Sequence, residues 1–369
     1  MAEAIVGGSL SRLRELNTQS ALRVLRGAEP MTLTELSKRT GLSRASTEDV
    51  VDDLLAQRWV VEEAPTAGAM GRPARRFRFR SDAAHALGVD IGGHRVRAII
   101  TDLDGAVLGR AEDEVDASAG RDRRLAAADD VVAQCLRRSG LTTDQLWGAG
   151  VGSSGLIDAT GKVVLSVDIP EWTGLSLSEH FRARLGVPVL ADNDGRLAAL
   201  AERWRGVARY AKDFVYLLAG LRTGLGLVIG GELHRGFGGA AGEIGALPAA
   251  GWIRAQEHLR KAGGEAGDVF AAARAGDRQA TAAVRRYVRD LSVGTAALVL
   301  TLDPQMVVLG GGFSRSADVL LDLLRRELDK QCIRTPEVLA SQLGDESVVL
   351  GAARLALDDA ELRLFGVRP

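Results

Sequence analysis

Apolar residues recur at helical spacing near the start of the chain, at Leu10, Leu13, Leu16, Leu22 and Leu25, with Gly27 as a stop. A shorter helix follows through Leu33, Leu36 and Lys38, capped by Thr32 or Thr34. Thr40-Gly41-Leu42-Ser43 predicts a tight turn in which Gly41 is free to take positive φ. Ser43 then caps a helix whose apolar face is Val50, Val51, Leu54 and Leu55. The runs "WVVEE" and "RRFRFR" flank a Gly/Ala/Pro stretch and read as strands joined by a wing. Short helix, glycine turn, capped helix and wing together predict a winged helix-turn-helix.

From Ala86 the pattern changes to glycine-punctuated strands. "ALGVDIGGHRVRAIITDLDGAVLGRAE" reads as three strands joined by a Gly-Gly and an Asp-Gly turn, and "FVYLLAGLRTGLGLVIGGELHRG" repeats that plan. Helical stretches cover 121–138, 193–206 and 277–301, and "PQMVVLGGGFSRSADVLLDLL" is a strand, a triple-glycine turn and a helix. Two copies of one β-meander predict a duplicated two-lobed α/β fold with the glycine turns facing a shared cleft. The expected domains are 1–82 and 83–369.

Composition narrows the class. At 369 residues and 46% apolar content the chain can bury more than one core. No apolar run approaches the roughly 20 residues that span a bilayer, and "MAEAIVGGSLSRLREL" lacks a basic stretch followed by a long apolar one. The expectation is a cytoplasmic protein with no membrane partner. Cys135 and Cys332 lie far apart in amphipathic stretches and are expected as free thiols. Net charge is −1, unevenly placed: the first 80 residues hold 13 basic and 10 acidic residues, leaving 34 of 47 and 38 of 48 for the rest. That asymmetry permits a nucleic-acid partner for the first part without demanding one.

The wing carries Arg72, Arg75, Arg76, Arg78 and Arg80, placed to reach phosphates or a narrow minor groove. At the start of the second helix Arg44, Ser46 and Thr47 are the candidates for base or phosphate contact. The expected DNA-binding set is Arg44, Ser46, Thr47, Arg72, Arg75 and Arg76. Glu48, Asp49, Asp52 and Asp53 on the same helix oppose it. A carboxylate is repelled by phosphate, although it can accept a bond from a cytosine amino group.

The stretches "LGVDIGG", "WTGLSLSEHFRARLGVPVLADNDGRLAALAE", "RGFGGAAGEIG" and "LDPQMVVLGGG" resemble the ROK family, which joins sugar kinases to sugar-responsive repressors. The winged helix ahead of the core is similar to the repressor branch. The resemblance implies an actin/hexokinase-like (ribonuclease H-like) core with ATP between the lobes, sugar beside it, and commonly a zinc holding the sugar loop. It puts Asp194 at the family's catalytic base, Asn193 at the adjacent sugar-binding amide and Glu243 in the sugar-holding loop. Asp90, Gly92 and Gly93 match the first phosphate loop, Thr223, Gly224 and Gly226 the second, and Gly310, Gly311 and Gly312 the last glycine turn. Trp172 matches a tryptophan near the sugar. From the residues alone, Asn193 and Asp194 also read as a helix cap, and Trp172 as a hydrophobic anchor.

Departures from the family decide the expected function. His94 stands for a threonine of the first phosphate loop, and Arg222 and Leu227 for glycines of the second. Ala246 replaces a histidine, and the cysteine cluster that should follow is missing. A structural zinc needs about four nitrogen or sulfur ligands, which His234 and His258 do not make. No metal and no cofactor are expected, and the altered loops argue against ATP and magnesium. The chain is therefore read as a DNA-binding regulator, a repressor, whose core senses a sugar or sugar derivative without catalysis, through Asn193, Asp194 and Glu243. Its expected partners are double-stranded operator DNA, a small-molecule effector and further copies of itself, as a homodimer or homotetramer. Two alternatives stand beside it: an ATP-dependent sugar kinase with an added DNA-binding domain, and a ligand-independent DNA-binding protein whose core only dimerises.

Overall fold

The structure, a computed structural model, describes residues 10–63, 74–220, 222–263 and 265–366. The first elements are α1 (Leu10–Leu25), β1 (Met31–Thr32), α2 (Leu33–Thr40), α3 (Arg44–Ala56), β2 (Val60–Glu63) and β3 (Arg76–Phe79). Thr32 caps α2 in a capping box: its hydroxyl accepts from the Glu35 amide at 3.2 Å, and the Glu35 carboxylate accepts from the Thr32 amide at 2.7 Å. Gly41 closes the helix at φ 73°, and the Ser43 hydroxyl caps α3 by accepting from the Ser46 amide. The three helices pack on one another, burying Leu22, Leu25, Leu36, Val50, Val51 and Leu54. Phe77 and Phe79 of β3 are buried too, in a sheet of order β1-β3-β2. This is a winged helix-turn-helix.

That compact unit runs to Ala86 and also takes in residues 101–107 and 357–369, which a division into 1–82 and 83–369 assigns elsewhere. The reason lies in Arg26. Its guanidinium donates to the Glu361 carboxylate at 2.5 Å and to the Leu103 carbonyl at 2.9 Å. Glu361 is only 1% exposed, and this bond gives its buried carboxylate a cationic partner. Arg23 donates to the Phe365 carbonyl, and the rings of Phe79 and Phe365 lie 6.2 Å apart.

The second unit holds two five-stranded sheets. Its elements are β4 (His85–Ile91), β5 (Arg95–Asp102), β6 (Val107–Glu114), α4 (Arg121–Ser139), β7 (Leu146–Ser153), β8 (Leu156–Ile157), β9 (Val163–Leu165), α5 (Leu177–Leu185), β10 (Val189–Asn193), α6 (Asp194–Arg205), β11 (Phe214–Ala219), β12 (Thr223–Ile229), β13 (Glu232–Leu233), α7 (Trp252–Lys261), α8 (Ala266–Arg274), α9 (Arg278–Leu302), β14 (Met306–Gly310), α10 (Ala317–Gln331), β15 (Glu337–Ala340) and α11 (Ser347–Phe365), the first strand and the last helix also reaching into the other unit. The sheet orders are β10-β7-β4-β5-β6 and β13-β12-β11-β14-β15. Each is a three-strand meander with two further strands added beside its first, so the duplication legible in the glycine turns is real. Val89, Ile91, Val96, Val151 and Phe181 belong to the core of the first lobe, and Val215, Leu217, Tyr287, Leu291 and Phe313 to the main core of the second.

The seam between the lobes is made by α6 on β12, and glycine makes it possible. A Cβ on Gly195 would stand 2.6 Å from the Leu225 amide nitrogen, and one on Gly226 would stand 2.4 Å from both the Ala199 Cβ and the Gly195 carbonyl. Backbone therefore lies on backbone at this point. Among the described residues no helix is long and apolar enough to cross a membrane.

Candidate functional site

The seam fixes the start of α6, where β10 ends. Asn193 is the N-cap: its side-chain oxygen accepts from the Arg196 amide at 3.2 Å, and its amide donates to the Gly155 carbonyl at 3.0 Å. Asp194 is the first helical residue and accepts from the Gly195 amide at 2.7 Å. Both readings of this pair coincide, because the cap geometry is what aims Asp194 toward β12, within 3.6 Å of the position a Gly224 Cβ would take. Glu243 lies on a short 3-10 turn, Glu243–Ala246, after Gly242 at φ 99°.

These residues form one electrostatic group. Burial pushes the Asp194 carboxyl up to about 6, with the charges of Asp168 and Glu243 adding to it and the Gly195 amide and Arg196 opposing. Burial raises Glu243 as well, opposed by Arg196 and reinforced by Asp168. Asp168, on the loop after β9, is raised by burial and held down by an ion pair with Arg222. Arg196 is 2% exposed; it pairs with Asp192 at 3.0 Å and donates to the Ile157 carbonyl, while Arg235 takes the other Asp192 oxygen at 2.7 Å. A cluster of carboxylates beside a buried arginine offers several acceptors to hydroxyl groups, which suits a polyol. The Ser154 hydroxyl, next to Gly155, is buried with no hydrogen-bond partner among the described residues.

Several residues of the loops assigned to a nucleotide are engaged by the protein itself. Asp90 is buried at the end of β4 beside Arg97, 3.6 Å away; burial pushes it up to about 7 against the pull of that arginine. Arg97 also meets Asp345 at 3.5 Å, and Asp345 in turn takes Arg315 at 2.5 Å, just past the triple-glycine turn. Gly226 is consumed by the α6 seam, and the Thr223 hydroxyl accepts from Gln256 at 3.3 Å. A Cβ on Gly310 would fall 1.8 Å from the Tyr216 hydroxyl, so the protein's own tyrosine fills that space. Gly311 takes φ 72° with the Ala219 carbonyl behind it, whereas Gly93 and Gly312 open onto free space and Gly92 meets only the Arg95 carbonyl, 3.2 Å from where its Cβ would be. Part of the space a nucleotide would take is thus filled by the protein's own Arg97, Arg315 and Tyr216, while Gly93 and Gly312 stay open. The family's zinc fares no better: Ala246 offers no ligand, and among the described residues no three histidine, cysteine or acidic side chains are arranged to hold a metal ion. Trp172 is fully buried, donating to the Ser153 hydroxyl at 3.0 Å, and is a core anchor.

On the winged helix, Arg44 is exposed at the first turn of α3, and the Ser46 hydroxyl lies 2.9 Å from that of Ser43. Thr47 corrects the sequence reading: it is 0% exposed, with its hydroxyl donating to the Ser43 carbonyl at 2.8 Å, so it serves the helix packing and cannot touch DNA. Arg75 is paired with Glu62 at 2.6 Å; Arg76 donates to the Pro30 carbonyl at 2.9 Å and faces Glu35 at 3.7 Å. Arg72 lies outside the described residues.

Asn193, Asp194 and Glu243 are thus brought together. Sequence reasoning missed Asp168, Arg196, Asp192 and Arg235 in the cleft, and Arg97, Asp345 and Arg315 on the phosphate side. Only Asp168 carried a signal, as one of two carboxylates in "SVDIPEW", four residues before the tryptophan already singled out.

Comparison with known proteins gives a consistent picture. Residues 86–264 and 249–359 match the ROK family, and residues 20–68 match the MarR family. A xylose repressor of Caldicellulosiruptor bescii is 23% identical over 390 residues, covering 95% of this chain and 98% of its own length. A glucokinase of Halalkalibacterium halodurans is 26% identical over 310 residues, covering 73% of this chain and 94% of its own. Among solved structures, a ROK family transcriptional regulator homologous to Mlc of E. coli aligns at TM-score 0.73 and 19% identity over 96% of this chain and 98% of its own. A ROK glucokinase of Streptomyces griseus, in complex with glucose and AMPPNP, aligns at 0.63 and 26% over 74% and 99%.

Proposed function

The chain belongs to the ROK family, and on that premise we propose that it is a DNA-binding transcriptional repressor whose kinase-like core senses a sugar or sugar derivative without phosphorylating it. The winged helix-turn-helix and the full-length repressor relatives support DNA binding. The cleft residues Asn193, Asp194 and Glu243, with Asp168, support a polyhydroxylated ligand.

One observation carries the non-catalytic reading. Both elements that should face phosphates are engaged by the protein's own arginines, Asp90 by Arg97 and the second loop by the Arg222–Asp168 pair. Asp194, near 6, is basic enough to accept a hydroxyl proton. A base alone does not transfer a phosphoryl group, since that reaction depends on held phosphates and neutralised charge. Sensing then works by population shift: a ligand with unequal affinity for two lobe arrangements changes which one a dimer presents to a two-fold operator.

The test uses the full chain. Thermal shift and calorimetry against pentoses, hexoses and their phosphates should find a sugar that binds, and that sugar should weaken operator binding with ATP adding nothing. Relatives named xylose repressors put xylose first in the panel. ATP-dependent phosphorylation of any sugar, abolished by Asp194→Asn, would overturn the reading. Light scattering of the free chain checks the proposed dimer or tetramer.

A further inference from the structure

The outward face of α3 is acidic where a DNA-reading helix is expected to be neutral or basic. Thr47, Val50, Val51 and Leu54 are buried against the rest of the winged helix, which leaves Arg44, Ala45, Glu48, Asp49 and Asp52 exposed. Neither Arg44, Glu48 nor Asp49 makes a hydrogen bond or ion pair among the described residues, whereas Asp53 is taken by Arg14 at 3.0 Å. Arg75 compensates them weakly, since its guanidinium is bonded first to Glu62 and feels Asp52 and Glu48 only through space. These carboxylates therefore hold no part of the fold together.

Placed in a major groove, an unpaired carboxylate faces two walls of phosphate and loses affinity on every sequence. It recovers that loss at one kind of base edge, the exocyclic amino group of cytosine, which donates to a carboxylate. The N-terminal part of such a helix is what meets base edges. Glu48 lies on that part, one turn past Arg44, and has the longest of the acidic side chains there. Four residues of helix rise about 6 Å, a little under two base-pair steps at about 3.4 Å each.

We propose that Glu48 is a base-reading residue that accepts from a cytosine amino group of the operator, one to two base-pair steps from a guanine held by Arg44. The remaining acidic face, Asp49 and Asp52, then suppresses binding to all other DNA, a case of specificity gained by repulsion. This inference rests on the repressor reading above.

The full-length chain is tested by selection from randomised duplex DNA, in parallel with Glu48→Gln, Glu48→Ala and Asp49→Asn. The wild-type motif should contain a half-site column of cytosine next to the guanine column. Glu48→Gln should move that column toward adenine, which an amide reads, and Glu48→Ala should leave it degenerate, with a discrimination of about five- to a hundredfold lost. Both variants should bind random-sequence DNA more tightly than wild type, and an unchanged guanine column shows that the variants still fold and dock. Selection of the same motif by wild type and both Glu48 variants, or a column moved by Asp49→Asn instead, overturns the assignment to Glu48. If the wild-type chain enriches no motif, the repressor reading itself fails.

Discussion

Arg222 and Asp168 form an ion pair in which the arginine is 64% exposed and the aspartate 27%. The arginine comes from the loop where the family has a phosphate-binding glycine, and the aspartate belongs to the carboxylate cluster around Asp194. One substitution therefore acts twice, adding a side chain where phosphate would lie and neutralising an acid in the sensing cleft.

Restoring the glycine with Arg222→Gly separates the two effects. Asp168 loses the one cationic partner it has among the described residues, so its charge bears more heavily on Asp194. Both carboxyls should titrate at higher pH, followed by carboxyl-carbon NMR. Phosphoryl transfer should stay absent because Arg97 still holds Asp90. Unchanged titration of both groups would mean that solvent already screens the pair.

Asp194 also makes stability depend on pH. Its folded value near 6 lies above the ordinary 3.8, so the native chain holds more protons than the unfolded one between those values. Stability therefore falls as pH rises from about 4 through 6. The difference corresponds to roughly 3 kcal/mol once the group is fully ionised, as an upper figure. Asp194→Asn should melt above wild type at pH 7.5, and the gap should close near pH 4. Equal melting at both pH values would contradict it.

Gly224 and Gly226 stand two residues apart in strand β12 and should respond differently to a methyl group. Gly226→Ala drives a Cβ into Ala199 and the Gly195 carbonyl at 2.4 Å, and should cost about 3 kcal/mol. Gly224→Ala meets the Leu218 Cβ at 3.4 Å and Asp194 at 3.6 Å, ordinary contacts, and should change stability little. Urea unfolding of the two variants tests this. A tolerated Gly226→Ala would mean the α6 seam can part.

Thr47 and Arg44 divide structure from contact. Thr47→Ala removes a buried hydroxyl and should cost about 1 kcal/mol of stability while leaving DNA affinity intact. Arg44→Ala should do the opposite, unchanged in melting and weaker on DNA. Paired melting and fluorescence-anisotropy measurements check both.

Elements with a strong local cause were legible in the sequence. The α3 cap, the Gly41 turn and the repeated meander all follow from short patterns with a geometric reason, whereas the grouping of Asn193, Asp194 and Glu243 came from the resemblance to the ROK family. Arg97 on Asp90 and Tyr216 under Gly310 were not legible, because each joins distant strands and depends on register. The same glycines that could admit a phosphate could equally admit a helix or a tyrosine ring, and spacing does not distinguish these uses. Thr47 was misread for a related reason. A hydroxyl near a helix start suits either a phosphate or its own backbone, and only burial decides between them.

The pairing of Arg26 with Glu361 bears on how the protein is made. A ribosome delivers the helix-turn-helix more than 300 residues before Glu361, yet the buried glutamate and the Phe365 contacts complete that same unit. Synthesis must pass Phe365 before the DNA-reading part is whole. A polypeptide abandoned midway leaves Arg26 without the Glu361 carboxylate and Phe79 without the Phe365 ring, and so an unfinished grip on any operator.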